Sequence, residues 1–144
     1  MRTLQLSFVI FVLLSILSCT DAGTLPHYKV ESAVQHAYRY RTMELDDSLA
    51  KYVHNFDDTA FKKAKADFGD VNIYNLDNIQ EEGSGSDKTY IATYNVEYEG
   101  AEGTEVFKVK SIDKLPKIVD YSNAIKPVVV ELVDSTSVVV DSLD

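Results

Sequence analysis

The spacing of apolar residues changes once along this chain, at Gly69, and that change limits the folds open to it. Before Gly69 the spacing is helical. Val30, Ala33, Val34, Ala37 and Tyr38 recur at i, i+3, i+4, i+7 and i+8, one stripe of an amphipathic helix. After Gly69 the period falls to two. Tyr90, Ala92, Tyr94, Val96 and Tyr98 alternate with Ile91, Thr93, Asn95, Glu97 and Glu99, so one face of a strand is apolar and aromatic and the other mostly polar. Helices followed by an antiparallel meander predict an α+β architecture, with N-terminal helices packed on a curved antiparallel sheet.

The helical half divides further. Asp46, Asp47 and Ser48 suit an N-cap, predicting a second short helix that carries Leu49, Tyr52, Val53 and Phe56. Asp57 or Asp58 caps a third, with Ala60, Phe61, Ala64 and Phe68 on one face and Gly69 at its C-terminal cap. In the second half, Asp70–Ile79 reads as a strand whose parity shifts between Ile73 and Tyr74, predicting a bulge. Residues 81–87 (EEGSGSD) form a turn, 100–103 a hairpin loop, 104–112 the partner strand, and 117–121 a further strand.

Outside this core lie two segments of different character. Residues 1–22 carry one base, Arg2, an apolar run from Leu4 to Leu17, and then small residues, the pattern of a signal peptide. Two processing routes fit: cleavage after Ala22, or modification of Cys19, the only cysteine. Ile16-Leu17-Ser18-Cys19 resembles a bacterial lipobox, which implies lipidation of Cys19 and attachment of the protein to a membrane. Residues 23–29 read as a tether, 30–125 as the domain, and 126–144 as an acidic, valine-rich tail or extra hairpin. A net charge of −9 argues against nucleic acid as a partner. With its one cysteine in the leader, the domain must stand on its hydrophobic core without disulfides.

The order of elements, with the stretch from Lys88 to Ser122 (KTYIATYNVEYEGAEGTEVFKVKSIDKLPKIVDYS), resembles small extracytoplasmic members of the nuclear transport factor 2-like (NTF2-like) superfamily, a cystatin-like cone found in bacterial lipoproteins. Phe107-Lys108-Val109-Lys110 and Lys117-Ile118-Val119 match the closing strands of such domains, while Pro116 stands where those domains carry a Trp. The resemblance implies a concave sheet around a pocket that is either open to a ligand or filled by side chains.

The sequence contains no phosphate loop, no metal-spaced His/Cys set and no nucleophile elbow, so no cofactor is expected and a non-enzymatic role is favoured. The weak candidates for pocket acid–base chemistry are His54 with Asp57 or Asp58, a His–carboxylate arrangement that would need burial in a cavity. The carboxylate doublets at helix starts are explained by capping. Tyr90, Tyr94 and Tyr98 either face the core or form an adaptable binding surface, to which Tyr38, Tyr40, Arg39 and Arg41 would add contact groups. The expected function is an exported, lipid-anchored envelope protein that binds another envelope protein or a small ligand. The alternatives are a ligand-binding or enzymatic pocket using His54, and a secreted inhibitor of another protein.

Overall fold

The computed structural model describes residues 24–128. The signal-peptide and Cys19 expectations and most of the valine-rich tail lie outside these residues. Helix α1 spans His27–Thr42, the one-turn α2 Asp46–Leu49 and α3 Thr59–Phe68. Four strands follow: β1 Val71–Glu82, β2 Thr89–Tyr98, β3 Ala101–Ile112 and β4 Leu115–Pro127. They form one antiparallel meander in the order β1-β2-β3-β4.

The two predicted periodicities meet face to face. Val30, Ala33, Val34, Ala37 and Tyr38 of α1 are buried, as are Tyr90, Ala92, Tyr94, Val96 and Tyr98 of β2. Phe107 and Val109 of β3, Ile118 of β4 and Phe61 of α3 complete the core. Full burial of a large apolar side chain contributes about 1.5–3 kcal/mol, so this stripe-on-sheet contact is the main source of stability. The hydroxyls of the core tyrosines must still find acceptors, and that requirement shapes the interior.

Several boundaries differ from expectation. The tether is shorter than its composition suggests: α1 begins at His27, and Leu25 is already buried, its N–H donating to the Tyr90 hydroxyl at 2.7 Å. The second helix stops at Leu49, because Tyr52 and Val53 extend alongside β4. Val53 bridges Ile118 in parallel, and backbone bonds run from Ile118 N–H to Tyr52 O and from His54 N–H to Ile118 O. This contact covers part of an otherwise open sheet edge. Neither Asp46 nor Asp58 makes a side-chain cap bond; Asp57 instead accepts the Thr59 N–H at 2.9 Å. The β2–β3 turn is only Glu99-Gly100, with Ala101 to Gly103 already in β3. β4 runs on to Pro127, well past the predicted strand and into the expected tail. Bulges do occur in β1, with register shifts at Val71/Ile73 and Leu76/Asn78.

Gly103 is required by packing. A Cβ there would lie 2.1 Å from the Ala124 carbonyl oxygen, so only glycine lets β3 and β4 approach at this point. The β3–β4 turn holds Asp113 and Lys114 at φ 52° and 64°, the left-handed pair of a tight two-residue hairpin.

Candidate functional site: a carboxylate caged inside the cone

The most unusual group in the interior is Glu105. It sits in β3 at the inward parity, flanked by Phe107 and opposite Tyr94, and is fully buried. Four donors converge on it. Its Oε1 accepts from the Tyr98 and Tyr121 hydroxyls, each at 2.6 Å, and from Arg41 Nη1 at 3.3 Å. Its Oε2 accepts from the Tyr38 hydroxyl at 2.5 Å. An isolated buried carboxylate would be very costly, whereas one surrounded by donors and a cation is tolerated.

Each donor is held by a different element. Tyr38 and Arg41 lie three residues apart on α1, Tyr98 ends β2 and Tyr121 lies on β4. Arg41 is itself buried. Its guanidinium carbon lies 4.2 Å from the centre of the Phe61 ring and 5.1 Å from that of Tyr38. Nη1 also donates to the Phe61 carbonyl at 3.1 Å, and Nη2 to the Tyr98 hydroxyl at 2.9 Å. Burial, the largest single influence, would lower the Arg41 pKa, but the Glu105 charge together with Tyr98 and Tyr121 outweighs it, and the net shift is upward. The hydroxyls of Tyr38, Tyr98 and Tyr121 are pushed well above the ordinary tyrosine value, first by burial and then by the adjacent carboxylate.

The cluster is closed. A surface cleft of about 360 Å³ reaches Arg41, but its rim of Glu44, Asp46, Lys62 and Lys65 is paired within itself. Lys65 meets Glu44 at 2.9 Å and Lys62 meets Asp46 at 2.8 Å. No cluster of three or more metal-ligating side chains occurs among the described residues.

The residues singled out from sequence fall elsewhere or play other parts. Tyr38, Tyr90, Tyr94 and Tyr98 do not form an open binding surface, since α1 covers that face and all four are buried. Tyr38, Tyr98 and the unanticipated Tyr121 serve Glu105, while Tyr90 serves the Leu25 backbone. The Tyr94 hydroxyl is buried with no hydrogen-bond partner among the described residues. Arg41 points inward, not outward as a contact group. Arg39 is exposed and Tyr40 half-buried, beside Tyr52. His54 is exposed, its Nε2 3.2 Å from the Asn55 amide; Asp57 is exposed and Asp58 pairs with Lys62. His36 stacks on Tyr52 at 5.0 Å and bonds the Ser32 carbonyl, and His27 meets Glu81 at 2.9 Å.

Sequence reasoning missed Glu105 and the inward role of Arg41, although both left a signal. An acid stands at the inward parity of β3, and Arg41 continues the stripe of Val30, Val34, Ala37 and Tyr38.

No protein-family model matches the sequence, and no curated protein matches it. The fold does have a solved counterpart. The crystal structure of an NTF2-like protein of unknown function from Shewanella baltica OS155 superposes with a TM-score of 0.52 at 7% identity, covering 70% of this chain and 94% of that one. The chain has an NTF2-like fold. In this NTF2-like cone, the concave side that could house a ligand holds instead the Glu105 cluster and the aromatic core.

Proposed function

We propose that the protein is an exported, lipid-anchored interaction module whose NTF2-like interior serves stability, leaving its outer surface to bind a partner. The observation that carries the non-enzymatic reading is the caged carboxylate. Glu105, the one buried acid among the described residues, has both oxygens engaged by Tyr38, Tyr98, Tyr121 and Arg41. A general base or acid must come within reach of substrate, and Glu105 is fully buried with each oxygen already accepting from a protein donor. The sequence pattern of residues 1–22, with Cys19 after Ile16-Leu17-Ser18, supports export and anchoring.

Two measurements test this reading. Mass spectrometry of the mature protein should find an acylated N-terminal Cys19; an unmodified terminus at Gly23 would remove the anchor. Thermal-shift screening against a small-metabolite library should give no stabilising ligand. A ligand whose stabilisation disappears in His54→Ala would instead establish the pocket reading.

A further inference from the structure

Charge is unevenly spent on this acidic surface. Lys62, Lys63, Lys65, Lys88 and Lys108 each meet a carboxylate at 2.5–3.5 Å. Lys29, Arg39, Lys51, Lys110, Lys114, Lys117 and Lys126 form no ion pair with the described residues, and four of these, Lys51, Lys110, Lys114 and Lys117, lie together. Lys110 and Lys117 are register partners across β3 and β4, on the outward face. Lys114 is in the turn that joins those strands. The Lys117 ammonium donates to the Lys51 carbonyl, which brings the fourth lysine alongside. Asp113, in the same turn, is the acid nearest in sequence. Glu82 lies on the same register row, two strands away, beyond Thr89.

The apex of this patch is apolar. Leu115 is 56% exposed, and Ile112 is its register partner. An exposed leucine next to Lys114, with Lys110 and Lys117 two register rows away, suits a bilayer interface, where the apolar tip enters the headgroup layer and the ammonium groups stay among the phosphates. The placement agrees. β1 ends, β2 begins, β3 ends and β4 begins at one end of the sheet, in the row Glu82, Thr89, Lys110 and Lys117. The described chain enters at that same end, where Leu25 bonds Tyr90.

We infer that the β3–β4 hairpin, with Lys51, Lys110, Lys114, Lys117 and Leu115, is a docking surface for an anionic bilayer. The inference extends the anchored reading above: a chain tethered at residue 19 presents this end of the cone to the membrane, and the patch fixes its orientation there.

The test uses the full chain carrying Cys19→Ser, which removes any acyl group, with vesicles of neutral phosphatidylcholine or of phosphatidylcholine containing phosphatidylglycerol. The readout is the ratio of binding to the two compositions, in which the apolar contribution of the leader cancels, and the change in that ratio between parent and variant, in which the charge of Arg2 cancels as well. Binding should favour the anionic vesicles and weaken with added salt. Each lysine changed to Gln should reduce that preference about fivefold, so Lys110→Gln with Lys117→Gln should reduce it about 25-fold. Leu115→Ser should weaken binding to anionic vesicles, and melting curves should show all variants folded. Equal binding to both compositions, or a preference unchanged by the lysine substitutions, would overturn the inference. Because acylation is absent throughout, that result would leave the Cys19 anchor standing, and an unmodified native terminus would leave this docking surface standing.

Discussion

Replacing Glu105 by glutamine should destabilise the protein far more than its near-identical shape suggests. The amide keeps one acceptor and gains an N–H₂ where a second oxygen stood. If that group faces Tyr38, it can donate to the hydroxyl, but the hydroxyl then has no acceptor. If it faces Oε1, it meets three donors: Tyr98, Tyr121 and Arg41. In either orientation the buried Arg41 loses its counter-charge. Removing one member of a buried ion pair costs about 3–5 kcal/mol, against a total stability of about 5–15 kcal/mol for a domain of this size. At about 4–8 °C per kcal/mol, the melting temperature should fall by at least about 12 °C. Urea denaturation at constant slope, supported by a thermal melt, measures the change. Replacing the whole cluster, with Glu105→Leu and Arg41→Met combined with Tyr38→Phe, Tyr98→Phe and Tyr121→Phe, removes both charges together with the hydroxyls that Glu105 accepts from, and should recover much of the loss. A Glu105→Gln variant within about 1 kcal/mol of the parent would refute the view that the carboxylate is held by charge.

The other expectations are more local. Tyr94→Phe should be neutral or slightly stabilising, because the deleted hydroxyl is buried without a partner, whereas Tyr98→Phe should cost about 1.5–3 kcal/mol by removing a bond to a charged group; paired denaturation curves distinguish them. Gly103→Ala should cost more than about 2 kcal/mol by forcing β3 from β4, and more than Gly69→Ala, where the strain is in φ alone and no atom lies within 4 Å. Stability should also fall in alkali. Tyr38, Tyr94, Tyr98 and Tyr121 hold their protons in the fold above the unfolded value near 10, so beyond that pH the unfolded chain binds fewer protons. Their contribution is intact below about pH 10 and is lost as pH climbs toward the folded values. Absorbance at 295 nm should show these four ionising only with unfolding.

The layer architecture was legible because it rests on periodicity. The α1 stripe and the β2 alternation are each long enough to specify which face is buried, and the structure joins those two faces. What could not be read was set by partners distant in sequence. Tyr52 and Val53 have helix-compatible spacing, yet Ile118, more than sixty residues later, draws them into extended pairing. Asp46 and Asp58 match the N-cap preference, but their carboxylates meet Lys62 instead. The Glu105 cluster needs α1, β2, β3 and β4 at once. Its members look individually like a surface acid, a helix arginine and three core tyrosines, and only assembly shows that the acid is what the hydroxyls require.

The central claim is that the inside of the cone is sealed around Glu105, and proton exchange at the tyrosine hydroxyls reports on this most directly. Nuclear magnetic resonance at neutral pH should resolve slowly exchanging hydroxyl protons for Tyr38, Tyr98 and Tyr121, all shifted downfield and all lost or displaced in Glu105→Gln. Hydroxyl protons that exchange with water too fast to be seen in the parent protein would mean that solvent reaches the carboxylate, and the interior would have to be reconsidered as an open site.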